Sequence, residues 1–259
     1  MLTVGVDIGS ITTKAAVLGD DGVVASVIIP SGSRPAEAAR EAHDEVLRRA
    51  QVNDEALPTI ATGYGRVTAP FPHTTVTEIT CHAAGAHWSF PQVGLVVDIG
   101  GQDSKAIRVG PGGTVLDFAM NDKCAAGTGR FLEVMARALG VELGQMGALA
   151  AGVAEPTRIS NLCTVFAESE VISYLARGTS KEEIIAGLHR SIANRVFGLV
   201  SRVGPRPEYV FTGGVARNSG VAAELKRLLG GPVRIPPDPQ IVGAVGAAVI
   251  ARRRTFDAK

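Results

Sequence analysis

Asp7-Ile8-Gly9-Ser10-Ile11-Thr12-Thr13-Lys14 and Asp98-Ile99-Gly100-Gly101-Gln102-Asp103-Ser104-Lys105 share one pattern, Asp-Ile-Gly-x-x-x-x-Lys. Each follows a short apolar run, residues 2–6 in the first copy and 93–97 in the second. Each continues into a second apolar stretch, 15–18 and 106–109, turns on glycine at 19–22 and 110–113, and resumes at 23–29 and 115–119. A strand, a glycine loop and a hairpin closed by a Gly-rich turn is the expected structure of each copy. A duplication of this size is a pair of half-domains, not a solenoid.

The intervening segments alternate helix and strand. Residues 35–50, 79–88, 128–139, 165–177 and 181–203 read as helices, as do a segment ending at Leu229 and the Ala-rich 240–254. Thr179-Ser180-Lys181-Glu182-Glu183 supplies an N-cap and early acids for the longest of them. Residues 58–62 and 209–212 read as strands, and Pro236-Pro237-Asp238-Pro239 as a rigid linker. The expected fold is α/β, with two similar lobes around a cleft. Residues 1–90 with 240–259 form lobe I, and residues 91–239 form lobe II.

The glycine loops suit a phosphate. Glycine after a strand lets backbone N–H groups approach an anion without Cβ interference. In the first copy Gly9 and Ile11 offer backbone, Ser10, Thr12 and Thr13 add hydroxyl donors, and Lys14 adds positive charge. In the second, Gly100, Gly101 and Asp103 line the equivalent loop. Asp7 and Asp98 sit at strand ends, where carboxylates can hold Mg²⁺ through water. Gln102 is a candidate to orient an attacking water, because phosphoryl transfer depends on positioning and charge stabilisation. Gly213-Gly214, with Val215 and Asn218, offers backbone to the adenosine part of a nucleotide. One Asp-x-Gly is most often a turn. Two matched copies and a third glycine pair make ATP or ADP the expected ligand.

These motifs resemble the superfamily of acetate and sugar kinases, heat-shock chaperones and actin, which implies an actin-like ATPase fold with two duplicated ribonuclease-H-like lobes. Three further stretches narrow the resemblance: residues 121–131 (Asn-Asp-Lys-Cys-Ala-Ala-Gly-Thr-Gly-Arg-Phe), residues 163–170 (Cys-Thr-Val-Phe-Ala-Glu-Ser-Glu) and His189-Arg190-Ser191. With the second phosphate loop they are similar to the activators of 2-hydroxyacyl-CoA dehydratases and the ATPase subunits of benzoyl-CoA reductase. The resemblance spans essentially the whole chain. It implies an ATP-hydrolysing one-electron reductase, homodimeric in the activators, whose electron passes to a two-subunit iron–sulfur acyl-CoA dehydratase or reductase. It also implies ferredoxin or flavodoxin as donor and one 4Fe-4S cluster per dimer. A benzoyl-CoA reductase subunit is the alternative within that chemistry, and a small-molecule kinase the more distant one.

Cys124 and Cys163 each precede a stretch that reads as a helix, whose N–H groups and dipole stabilise a thiolate. Their spacing matches no simple ligand motif, and free cysteines are often small buried hydrophobes. The polar neighbours Asn121, Asp122, Lys123 and Asn161 point to a surface or interface. A 4Fe-4S cluster needs four thiolates, and two protomers would supply them across a two-fold axis. The resemblance makes Cys124 and Cys163 the expected ligands. Gly127 and Gly129, just after Cys124, could reach the nucleotide, so lobe closure on ATP is expected to move the cysteine-bearing segments. Cys81 and His82 are neighbours on a helix and chelate poorly together. Cys81 is assigned to packing and His82 to the neighbourhood of the cleft, while Glu168 carries only a minor case for the cleft.

Composition narrows the remaining classes. Lys and Arg number 26 against 25 Asp and Glu, a net charge of +1, which disfavours nucleic acid and anionic membrane as partners. Arg252-Arg253-Arg254 reads as a solvated helix end. No apolar run reaches membrane-spanning length, and Met1–Gly5 has no basic leader region. A cytoplasmic location is expected, and the three cysteines of the chain do not argue for a disulfide framework there.

Overall fold

The computed structural model describes residues 1–52, 56–159 and 163–257. The first half runs β1 (Thr3–Ile8), β2 (Thr12–Gly19), β3 (Gly22–Pro30), α1 (Pro35–Arg49), β4 (Thr59–Thr62), β5 (Thr74–Thr75) and α2 (Glu78–Ser89). The second half runs β6 (Leu95–Ile99), β7 (Ser104–Val109), β8 (Val115–Asn121), α3 (Gly129–Leu139), α4 (Met146–Leu149), α5 (Thr164–Ala176), α6 (Lys181–Val203), β9 (Tyr209–Thr212), α7 (Ser219–Leu229), β10 (Val233–Arg234) and α8 (Val242–Asp257).

Two five-stranded sheets form, in orders β3-β2-β1-β4-β5 and β10-β9-β6-β7-β8. Each is an antiparallel three-strand meander joined by parallel strands on its other side. The duplication is therefore one of topology as well as motif. The two-residue strands β5 and β10 and the single turn α4 carry too little periodicity to stand out in the sequence.

Each sheet is covered on both faces, which explains strands that are apolar without alternation. Val4, Val6 and Ile8 of β1 pack with Ala39, Ala42 and Val46 of α1. Ala16 and Leu18 of β2 pack with Ala244, Val245 and Ala248 of α8. In the second sheet, Leu95, Val97 and Ile99 join Leu188, Ile192 and Val196 of α6. The opposite face, with Val96, Ile107 and Val210, meets Ala83 and Ala86 of α2. Helix α2, grouped by sequence with the first half, thus lies on the second sheet, while its Cys81 joins Ile60, Ala247 and Ala251.

The helices α2 and α8 cross between the sheets on small residues. A Cβ at Gly246 would overlap the carbonyl oxygen of Cys81, one at Gly85 that of Val242, and one at Gly5 that of Ala244. Ser180 begins α6 with a capping box completed by Glu183. The arginine run near the C-terminus does more than face solvent. Arg252 donates to the carbonyl of Gly19 in the first hairpin turn (3.0 Å), and Arg253 to that of Gly112 in the second (2.8 Å). Among the described residues no helix is long and apolar enough to cross a membrane.

Gly246→Val tests the helix crossing. The branched side chain has no room against the Cys81 carbonyl, so unfolding in urea is expected to reveal a loss of about 3 kcal/mol or more. Wild-type stability would mean that the two helices separate freely.

Candidate functional site

The Asp-x-x-x-x-x-x-Lys spacing becomes geometry through the hairpin register. Asp7 lies opposite Lys14 across β1 and β2, and Asp98 opposite Lys105 across β6 and β7. Lys14 Nζ is 3.3 Å from Asp7 Oδ2, and Lys105 Nζ 3.2 Å from Asp98 Oδ2. Lys105 is 2% exposed and also reaches Asp103 Oδ2 at 2.8 Å and Glu78 Oε1 at 3.8 Å. Burial alone would raise the Asp98 carboxyl. The His82 imidazole, the Lys105 ammonium and the Thr212 hydroxyl outweigh it and bring the pKa down to about 2. Burial works against the charged Lys105, yet its three carboxylates raise its pKa. Burial raises Glu78, with Lys105 opposing.

The duplication extends one strand further than the phosphate motif. Thr62 of β4 pairs with Asp7, and Thr212 of β9 with Asp98. Each is followed by a left-handed glycine, Gly63 at φ 84° and Gly213 at φ 86°. A Cβ at Gly63 would lie 2.5 Å from Asp7 Oδ1, and one at Gly213 would crowd Ile99 and Asp98. Only glycine lets the chain turn this close to each carboxylate.

A cleft of about 570 Å³ opens between the sheets. Its walls include Asp7, Gly9, Ser10, Ile11, Thr12 and Lys14 from the first loop, and Asp98, Gly100, Gly101, Gln102 and Asp103 from the second. Gly129, Gly213, Gly214, Val215 and Asn218 complete it on the side expected for adenosine. Thr13 turns away: its hydroxyl lies 2.9 Å from that of Ser31, which in turn donates to the Gly9 carbonyl (2.6 Å). Ser31 thereby clamps the first loop. Gly127 is also outside the walls. It adopts φ 85° and packs on the stem of Arg195.

Glu78, His82 and Lys105 line the cleft floor, and Tyr64, Glu133 and Gln240 its rim. The repeat itself pointed to Lys105, by analogy with Lys14. His82 was expected near the cleft and lines it, whereas Glu78 had no such signal, because only the placement of α2 between the sheets brings it in. Glu168 is not part of the walls.

The cysteines lie outside the cleft. Cys163 is the N-cap of α5. Cys124 lies upstream of α3, whose N-cap is Thr128, within one residue of the expected helix start. It sits ahead of a turn closed by Thr128 N and the Ala125 carbonyl (3.1 Å), with Asn121 Nδ2 donating to its own carbonyl (2.9 Å). Two backbone bonds tie this segment to the second phosphate loop: Gly129 N donates to Gly100 O and Arg130 N to Gly101 O, both at 2.9 Å. Asn161 lies outside the described residues. Cys124 and Cys163 are half-buried, whereas Cys81 is sealed and its thiol is pushed by burial up to about 12, with Thr62 pulling slightly the other way. Cys81 therefore stays a thiol at neutral pH, and of the three thiols Cys124 and Cys163 are the accessible ones. Two half-exposed thiols per chain fit a four-thiolate cluster shared by two chains.

Comparison with known proteins follows the same lines. Residues 4–251 match the model of the BadF/BadG/BcrA/BcrD ATPase family. The chain is 46% identical over 255 residues to the (R)-2-hydroxyglutaryl-CoA dehydratase activating ATPase of Acidaminococcus fermentans, covering 97% of each. It superimposes on the activator of the 2-hydroxyisocaproyl-CoA dehydratase from Clostridium difficile with bound ADPNP at a TM-score of 0.92, with 39% identity over 100% of this chain and 97% of that one. A ROK family glucokinase from Streptomyces griseus shares the fold alone, at a TM-score of 0.60 and 16% identity, covering 98% of this chain and 100% of the other. The architecture is the actin-like ATPase fold.

Lys105→Met tests the floor. Asp98, Asp103 and Glu78 would lose their common cation, a loss of about 3–5 kcal/mol at pH 8. Carboxyls whose folded-state pKa is raised bind more protons folded than unfolded, so the stability of the variant should fall as pH rises. Urea unfolding between pH 5 and 8 is expected to show the defect shrinking toward pH 5, where Glu78 protonates first. A defect independent of pH would refute the charge argument.

Proposed function

The chain belongs to the BadF/BadG/BcrA/BcrD ATPase family, and on that premise we propose that it is an ATP-hydrolysing activator of a 2-hydroxyacyl-CoA dehydratase-type partner. Its relatives that are named dehydratase activators and activating ATPases support the ATP-dependent activator role. The finer proposal is that two copies share one 4Fe-4S cluster through Cys124 and Cys163 and deliver one low-potential electron per transfer.

The observation that carries this reading is the backbone tie between the second phosphate loop and the segment after Cys124. Gly100 and Gly101 face the nucleotide cleft, and their carbonyls accept from Gly129 and Arg130. A shift of the phosphate loop on ATP binding or hydrolysis must drag the first turn of α3, and with it the Cys124 turn. ATP biases this motion only by binding one arrangement more tightly.

The residues divide accordingly. Lys14 and the hydroxyls of Ser10 and Thr12 bind the phosphates, Asp7 and Asp98 hold Mg²⁺ through water, and Gln102 orients the water that attacks. Gly213, Gly214, Val215 and Asn218 hold the adenosine. The cluster, once bound, supplies one-electron reducing power. Around Cys163, α5 turns outward Val165 (66% exposed), Phe166 (65%) and Ile172 (56%). An apolar face at a ligand-bearing helix suits burial against a second copy. Ferredoxin or flavodoxin as donor, and a cytoplasmic setting, complete the proposal.

Cys124→Ser and Cys163→Ser, each purified without oxygen, test it. Both variants are expected to lose the iron and sulfide found in the wild type while ADPNP affinity stays within about threefold, because the cysteines lie outside the cleft. Full iron and sulfide in either variant would overturn the assignment. Phe166→Glu should shift sedimentation from dimer toward monomer.

A further inference from the structure

His189-Arg190-Ser191, one of the stretches that carry the resemblance, has no part in the cleft walls. His189 lies within α6 and is 1% exposed. Neither of its ring nitrogens has a hydrogen-bond partner among the described residues. Burial pushes the imidazole down to about 4, against the opposing pull of the Glu224 carboxylate. Glu224, on α7, is itself held by Arg190 and Arg227. The ring is therefore neutral at pH 7 and is fixed by packing alone.

Its seat is the entry to α7. A Cβ at Gly220 would overlap His189 Nδ1 and Cε1 and would lie 3.0 Å from Cγ. The imidazole thus rests on the bare α-carbon of Gly220, in space that any side chain would need. Helix α4 meets the same turn, where a Cβ at Gly147 would lie 2.5 Å from Ser219 Oγ. The first turn of α7 is packed by both helices.

This turn carries a residue of the cleft. Asn218 is the N-cap of α7, and its Oδ1 accepts from Gly220 N at 3.0 Å and Val221 N at 3.1 Å. Asn218 N donates to Val215 O at 2.9 Å. Gly214, Val215 and Asn218 all line the cleft. With Oδ1 spent on the helix, Nδ2 is the polar atom of the Asn218 side chain left for a ligand. Ring on Gly220, Gly220 on Asn218 and Asn218 on Val215 form one continuous path from α6 to the cleft wall.

We infer that His189 is a positioning residue of the adenosine side of the cleft: its imidazole seats the first turn of α7, and the turn places Asn218 and the 213–215 loop. The inference deepens the proposed nucleotide site, rests on that reading and makes no use of the cluster. It implies a ligand-specific effect. The phosphate loops are held by Ser31 and by the start of α3, not by α7. A displaced α7 turn weakens the grip on the nucleoside and leaves the polyphosphate contacts in place.

ADPNP and inorganic tripolyphosphate, each with Mg²⁺, separate the two parts of the ligand in binding measurements. His189→Ala and Gly220→Ala are each expected to weaken ADPNP by about tenfold, with tripolyphosphate within twofold of wild type. In the double variant the new methyl enters the space the ring has left. It is expected to bind ADPNP at least about threefold more tightly than Gly220→Ala alone, a coupling that independent sites would not show. Unchanged ADPNP affinity in both single variants, or simple additivity in the double, would overturn the inference. So would equal loss of both ligands, as unfolding gives, and His189 would then be a packing residue. Asn218→Ala identifies which premise fails. Weaker ADPNP binding there, with His189→Ala unaffected, removes only the role of His189. Wild-type ADPNP binding in Asn218→Ala removes the adenosine assignment and the role of His189 with it.

Discussion

One buried ammonium organises the site. Lys105 is withdrawn from water and satisfied only because Asp98, Asp103 and Glu78 converge on it from three segments. A charge in such a place is tolerable only when fully paired. The pairing therefore dictates the register of β6 on β7, the fold of the loop between them and the seating of α2. The same device, at smaller scale, fixes Lys14 on Asp7. With both strand ends fixed, the two glycine loops meet across the cleft, close enough that a Cβ at Gly101 would lie 2.6 Å from Ile11 Cδ1.

Rigidity at the floor gives the loops their leverage. The first loop is clamped by Ser31 at Gly9 and Ile11, and the second by the first turn of α3 at Gly100 and Gly101. The carbonyls of the second loop are the acceptors for the α3 terminus. The Cys124 turn stands immediately upstream of that terminus, on the stem of Arg195. Two-state behaviour of packed elements, rather than continuous deformation, is what such a connection transmits.

The duplicated motif was legible because Asp, Gly and Lys fall at fixed offsets between apolar runs, and helix α6 because its capping box and periodicity agree. The longer repeat, through Thr62-Gly63 and Thr212-Gly213, was hidden. Its members lie 55 and 114 residues after their aspartates, and parallel pairing leaves no local spacing to find. Glu78 was obscured for a related reason: the sequence of α2 shows no one-sided apolar stripe, and only its wedge between two sheets gives each face a distinct partner. The cysteines were visible as motifs, and so was the start of α3 near residue 128. Gly127 at positive φ turns the chain between Cys124 and that start.

A duplicated fold would be expected to give a symmetric site, yet this one is not symmetric. The two Asp–Lys–Thr–Gly sets are near copies, but a single helix, α2, serves both, and a helix cannot present the same residue to two directions. Consecutive positions 81 and 82 point to different sets. The first set receives a thiol that α8 seals and burial keeps protonated. The second receives an imidazole whose Nδ1 lies 3.3 Å from the Thr212 hydroxyl and which lines the cleft. The asymmetry thus arises where two equivalent lobes must share one element.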